Sequence, residues 1–316
     1  MLVEAWVRRE QSGLPVFAAI GGARLLAEAA ASRGLVVPIE TVSSLEQAER
    51  VFHRALPVCS DLDGEWKPGA PDRAGASLAL ASLAEATTLA KSGKAAGLVT
   101  GPIAKALLAE IGFDHPGQTE YVADACGVAA QDAVMMLAGP QLRTIPLTVH
   151  VALALVPALI SVDLICRRAH IASAALQQDF GIEHPRIAIT ALNPHAGEGG
   201  RFGDEEARII APAIERLRRE GIAATGPHPA DALFAAHARA EFDVALCMYH
   251  DQALIPLKAL DFDSGVNVTL GLPFVRTSPD HGTAFGIAGT GSASAGATIA
   301  AIRMAGECAG RRAIHG

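Results

Sequence analysis

The sequence predicts an α/β fold in which parallel strands are layered with helices. Short runs rich in β-branched and apolar residues recur along all 316 residues. Helical stretches of roughly ten to twenty residues separate them, the signature of parallel α/β layers. Half of the residues are apolar and 19% are charged, enough to fill a sizeable core. No repeat of solenoid period is visible.

Leu14–Ile20 is the first strand candidate, and a helical pattern runs from Ala23 to Arg33. Arg8 and Arg9 stand before the apolar run Leu14–Ala23, the order found in an export signal. That run is short and passes straight into the helical pattern, so it reads as part of the fold. Ser60–Arg73, holding Gly64, Pro68, Gly69 and Pro71, reads as a loop. Ala74–Lys91 follows as an amphipathic helix, Ala96–Thr100 as a strand and Ile103–Ile111 as a helix. Ala133–Leu137 and Arg143–His150 are the next strands. The uncharged run Ile145–Val162 approaches the length of a membrane span, yet it carries His150, Pro146 and Pro157 and reads as strand, break and helix start. Val162–Phe180 and Glu205–Glu220 are helices, and Arg186–Leu192, Asp243–Tyr249 and Val266–Leu270 are strands. Composition alone marks no domain boundary.

The net charge of −7 comes from interleaved acids and bases, with no basic stripe to follow a phosphate backbone. Nucleic acid and membrane are therefore not expected as partners. Cys59, Cys126, Cys166, Cys247 and Cys308 form no CxxC pair, and they read as reduced, mostly buried thiols of a cytoplasmic protein.

Three histidines end three of the strand candidates. His150 closes one run, His195 follows Leu192 through Asn193-Pro194, and His250 follows Tyr249. In an open parallel sheet ligands bind beyond the carboxyl ends of the strands, and neutral imidazole is a common ligand of divalent metals. Any one of the three, taken alone, is more simply a strand-end histidine bonded to backbone. The loop Asn193–Gly203 contains Gly197, Gly199, Gly200 and Gly203, more glycine than a surface turn needs. Asp204, Glu205 and Glu206 then open a helix, where acids complement the helix dipole.

Val99–Lys105 reads as strand, turn and helix start, placing Thr100 and Lys105 near an anion-binding position. Lysine occurs only at 67, 91, 94, 105 and 258, which draws notice to Lys105 and Lys258, although either alone is more simply a solvated charge. The stretch from His250 to Ala284 gathers Lys258, Asn267, Arg276, Thr277, Asp280 and His281 around one strand and its following loop. Lysine and arginine so placed suit a phosphate or carboxylate. No GxGxxG follows a strand, and Gly286–Gly291 comes late, after a loop, so a Rossmann dinucleotide site has no support.

The successive motifs VTGPIAK, PGQTE, LNPHAGEGGRFG, PADALF, MYHDQALIPLK and VNVTLGLPFVRTSPDHGTA resemble, in order and spacing, those of the 4-hydroxythreonine-4-phosphate dehydrogenase (PdxA) family of vitamin B6 biosynthesis. The resemblance runs from about Leu14 to the C-terminus. It implies two α/β/α domains like those of isocitrate and isopropylmalate dehydrogenases, with active sites in an interdomain cleft completed across a homodimer. Residues 1–117 plus 258–316 would form the first domain, on the nucleotide side. Residues 118–257 would form the second, with the metal ligands and the dimer interface. It further implies that His150, His195 and His250, not all from one subunit, hold a divalent ion: zinc, magnesium, manganese or cobalt. Gln118, Thr119, Lys258, Asn267 and Arg276 would contact the substrate. Asp231 would lie close by, with Lys258 and Asp231 as the catalytic pair. His281, Gly282, Thr283 and Ala284 would meet NAD or NADP. The implied reaction oxidises 4-phosphooxy-L-threonine to a keto acid that decarboxylates to 3-amino-2-oxopropyl phosphate.

The sequence departs from the family pattern in three places. The family opens with a strand and a Gly-Asp-Pro-Ala-Gly-Ile-Gly-Pro-Glu loop, whereas this sequence begins at Met1-Leu-Val-Glu, at what corresponds to the following helix, so that strand and part of the cleft wall are expected to be missing. Gln118 stands where the family has a substrate-contacting histidine, and glutamine carries no charge. Gly286 replaces an acid after HGTAF, which leaves the choice of nucleotide open. Alternatives are a paralogous dehydrogenase of threonate or erythronate phosphate, a phosphate acyltransferase, or an inactive truncated homologue that binds metal.

Overall fold

The computed structural model describes residues 1–315 and has the α/β architecture that the sequence predicts. Its strands are β1 (Ile39–Thr41), β2 (Leu56–Val58), β3 (Gly97–Val99), β4 (Val134–Ala138), β5 (Arg143–Thr148), β6 (Arg186–Thr190), β7 (Ala223–His228), β8 (Val244–Tyr249), β9 (Val266–Leu270) and β10 (Val275–Pro279). The helices are α1 (Leu2–Val7), α2 (Ala23–Ala31), α3 (Leu45–Val51), α4 (Arg73–Lys91), α5 (Lys105–Glu110), α6 (Gln118–Ala125), α7 (Val156–Leu159), α8 (Val162–Phe180), α9 (Ala211–Arg219), α10 (Ala230–Leu233), α11 (His250–Asp261) and α12 (Gly296–His315). The chain divides into two compact units. One comprises Met1–Ala130 with Leu272–Ala309, the other Gln131–Gly271 with the residues from Gly310 onward.

In the first unit β1 pairs with β2 and β3 with β10, both in parallel. The Asp72 carboxylate accepts from Gly75 N at 2.8 Å and starts α4. Trp6 of α1 packs with Ala30, Phe52 and Leu56, and its indole donates to Phe52 O at 3.0 Å. The expected strand at Leu14–Ile20 reduces to one bridge, Ala19 beside Val58. Pro15 has no N–H to give a ladder, and Gly21 and Gly22 end the run.

The second unit carries six strands in the order β9-β4-β5-β8-β6-β7. β4 runs antiparallel to both of its neighbours, whereas β5, β8, β6 and β7 are mutually parallel. Ile145, Ile187, Ile189 and Leu246 are fully buried between the layers. Helix α8 is capped by Ser161, whose hydroxyl accepts from Leu164 N at 3.1 Å, and it ends at Gly181 with φ 67°. It buries Ile165, Ala169, Ala172 and Leu176. The expected helix at Glu205–Glu220 begins instead as a π-helical turn, Glu206–Ile210, and only then becomes α9. Pro212 lies in the first turn of α9, where its ring and missing N–H do not sustain the bonding of a regular upstream helix.

All five cysteines are free, and Cys166, Cys247 and Cys308 are buried. Among the described residues no helix is long and apolar enough to cross a membrane.

Two stability predictions follow from the second unit. Arg312 donates to both carboxylate oxygens of the buried Asp179, at 2.7 and 2.8 Å. Asp179→Ala leaves that guanidinium without its carboxylate, and urea unfolding should show a loss of about 3 kcal/mol. His228, half-buried at the end of β7, has its pKa lowered by burial and then by Arg218. The unfolded chain therefore takes up a proton before the folded one as pH falls, and stability is lost through the ordinary imidazole range. His228→Gln should flatten the decline in melting temperature between about pH 7 and pH 5.

Candidate functional site

β5, β8 and β6 are adjacent and parallel, so their carboxyl ends share one edge of the sheet. His150 lies two residues beyond β5, His250 is the first residue of α11 after β8, and His195 follows β6 through Ala191–Pro194. The histidine positions expected from the sequence thus fall at the ends of three neighbouring parallel strands.

His150 and His250 share a pocket with Thr148, Tyr249 and Asp251, their ring centroids 6.1 Å apart. His150 has φ 52°, a left-handed conformation that a non-glycine residue keeps only where its surroundings enforce it. Nδ1 of His250 lies 2.7 Å from Asp251 Oδ1.

His195 opens a turn in which five successive residues are left-handed, with φ of 52°, 54°, 77°, 43° and 67° from His195 to Gly199. Gly197 and Gly199 take this conformation freely, whereas His195, Ala196 and Glu198 each cost about 1–2 kcal/mol. Nδ1 of His195 lies 3.1 Å from Glu198 Oε2, and its ring meets Phe202 edge-on at 6.0 Å. The structure brings His150 and His250 together and does not group His195 with them. Among the described residues no three His, Cys, Asp or Glu side chains are clustered as a metal site. The donor chemistry nevertheless fits a divalent ion. A carboxylate on Nδ1 fixes the ring and leaves Nε2 for a ligand bond, as at His195 and His250.

The reading of Asp204, Glu205 and Glu206 as helix-dipole residues holds only for Asp204, which pairs with Arg208 one turn on. Glu206 is 6% exposed, and its Oε1 accepts from the backbone N–H groups of Leu192 and Asn193 at 2.9 and 2.8 Å. The Asn193 amide donates to Glu206 Oε2 at 3.1 Å and to Glu205 Oε2 at 2.7 Å. Both glutamates therefore turn back to the loop before the helix rather than capping it. Three consecutive acids after a glycine-rich loop, more than a helix start uses, were the available signal.

In the first unit Arg276 on β10 is 3% exposed. Its guanidinium donates to Thr119 Oγ1 at 3.1 Å, Thr100 Oγ1 at 2.8 Å and Gln118 Oε1 at 3.0 Å, all neutral oxygens. The Gln118 amide N–H₂ donates to Gly101 O at 3.2 Å, which fixes the orientation in which its oxygen faces Arg276. Burial, opposed by Glu120, lowers the Arg276 pKa to about 10, so the group stays charged at neutral pH. A desolvated guanidinium suits an anionic ligand.

The remaining expected residues are placed as follows. Lys258 is half-buried on α11, and Asn267 is half-buried on β9 with an Oδ1 that has no hydrogen-bond partner among the described residues. Asp231 is exposed in the first turn of α10. His281, Gly282, Thr283 and Ala284 form a largely exposed loop after β10, with His281 Nδ1 3.0 Å from Gly282 O and Ala284 left-handed at φ 47°.

An α/β fold with histidines at its strand ends and a buried arginine places the chain in the same structural class as a group of solved dehydrogenases. A 4-hydroxythreonine-4-phosphate dehydrogenase from Burkholderia phymatum superposes with a TM-score of 0.82 at 35% identity, covering 97% of this chain and 93% of that one. Another from Klebsiella pneumoniae gives 0.80 at 34% identity, covering 92% and 88%. A relative from Erythrobacter litoralis named 4-hydroxythreonine-4-phosphate dehydrogenase is 61% identical over 99% of this chain and 93% of its own length. The family described as pyridoxal phosphate biosynthetic protein PdxA matches residues 15–305, and the chain belongs to that family.

Gln118→Glu sets a carboxylate in the place of the amide oxygen 3.0 Å from Arg276, a charge that would compete with an anionic ligand. Titration calorimetry with inorganic phosphate should show affinity reduced by roughly tenfold or more, with Gln118→Ala less affected.

Proposed function

We propose that the chain is a metal-dependent NAD(P) dehydrogenase that oxidises the C3 hydroxyl of 4-phosphooxy-L-threonine in pyridoxal 5'-phosphate biosynthesis. The observation that carries this reading is the 61% identity, over 99% of the chain, to a protein named for that activity. The C3 carbon gives up a hydride and its hydroxyl a proton. The β-keto acid then loses carbon dioxide and takes up one proton to yield 3-amino-2-oxopropyl phosphate.

Arg276, with Thr119 and Thr100, binds an anionic end of the substrate, and Gln118 holds the guanidinium in place. Asn267 offers its open Oδ1 to a substrate donor. Lys258 and Asp231 exchange the hydroxyl and carbon protons, Lys258 at its Nζ. The His281–Ala284 loop would hold the nicotinamide nucleotide, which would supply the hydride-accepting chemistry. His150, His195 and His250 hold a divalent ion, with at least one of the three contributed across a homodimer. When bound, that ion supplies Lewis acidity to the substrate oxygens. Leu153, Leu155 and Leu159, respectively 64%, 55% and 46% exposed just beyond His150, support a partner subunit on that face.

The test mixes the protein with 4-phosphooxy-L-threonine, NAD⁺ or NADP⁺ and each of zinc, magnesium, manganese and cobalt, and follows nicotinamide reduction by absorbance. Turnover that EDTA and His195→Ala both abolish is the expected result. Turnover that survives both would overturn the metal role.

A further inference from the structure

We infer that Glu206 is the positioning residue for His195, the carboxylate that locks the left-handed turn presenting this imidazole. The inference rests on the metal reading above and concerns a residue outside that ligand set.

Both carboxylate oxygens of the buried Glu206 are occupied. Oε1 takes the two backbone N–H groups of Leu192 and Asn193, the last ones before Pro194, which has none. Oε2 takes the side-chain amide of Asn193. The turn also packs directly onto the carboxylate, since a Cβ at Gly197 would stand 2.7 Å from Glu206 Oε2. A Cβ at Gly203 would strike the Asn193 amide at 2.4 Å, so the far end of the loop is fitted to the same array. Among the described residues no cation pairs with Glu206, so three N–H donors carry the charge of this buried group.

That pattern is what a strained presenting turn requires. The left-handed run at His195, Ala196 and Glu198 does not hold itself, and the chain entering it must be fixed one residue before Pro194. A carboxylate with two acceptor oxygens fixes it, and an amide does not. In Glu206→Gln the NH₂ would face either the backbone donors or the Asn193 amide. Flipping Asn193 does not relieve this, because its oxygen would then face Glu205 Oε2. Glu206 itself sits in the π-helical turn, a distortion that aims its side chain back at the loop.

The experiment is a double-mutant cycle read by cobalt(II) binding to the full chain, by competition with a chelator and by the visible d–d spectrum. Glu206→Gln should weaken cobalt binding at least tenfold and alter the spectrum, while Glu206→Gln in a His195→Ala background should add less than twofold. Melting in EDTA reports whether each variant folds. If Glu206→Gln does not fold, the cycle is run with Glu206→Asp, which keeps the charge but reaches less far and should give a smaller loss with the same coupling. Equal weakening in both backgrounds would mean a general structural effect and overturn the proposal. So would unchanged affinity in Glu206→Gln. Unchanged cobalt affinity in His195→Ala alone would remove the metal reading itself, and the role of Glu206 with it.

Discussion

Parallel pairing of β5, β8 and β6 is the constraint on which the candidate site depends. Strands that run the same way must end on the same edge, and each must be carried away by a connection that cannot be a tight hairpin. Those connections are where His150, His250 and His195 lie. The sheet supplies proximity cheaply, and the local backbone supplies direction. Two of the three histidines are left-handed, and the third begins a helix. Such backbone is stable only because the buried strands beneath it, with Ile145, Ile187 and Leu246 fully enclosed, do not yield.

The two halves of the chemistry are solved in opposite electrostatic ways. In the second unit carboxylates serve as orienting groups, Glu198 on His195, Asp251 on His250 and Glu206 on the backbone. In the first, the buried Arg276 guanidinium donates to two hydroxyls and an amide oxygen, and the nearby Glu120 opposes the cost of its burial. Replacing any of these neutral partners with an acid would stabilise the arginine.

Long, strongly patterned elements were legible in the sequence: Val162–Phe180 has the same bounds in the structure, and β5, β6, β8 and β9 lie where short β-rich apolar runs place them. The histidine positions were legible because each follows such a run. Four strands were not anticipated. β1 and β2 span three residues each, β7 contains Gly226 and Pro227, and the polar residues of β10 disguise its burial. Leu14–Ile20 failed in the other direction, with an apolar pattern whose proline and glycines leave one bridge. Glu206 was misread because two of its three donors are backbone N–H groups, and the run of three acids that marked it also suits a helix start. The three crossing points between the units were likewise illegible, since none falls in a stretch of distinct composition.

The left-handed turn at His195–Gly199 narrows the alphabet open to anyone redesigning this protein. A β-branched side chain meets the backbone in that region, so valine, isoleucine and threonine are barred from positions 196 and 198 whatever their polarity. Glycine, asparagine and aspartate remain admissible, and Ala196→Gly would relax the segment rather than burden it. A randomised library spread evenly over these five codons would spend most of its members on sequences that cannot form the turn. One drawn from the small left-handed-tolerant set would sample the neighbourhood of the histidine productively.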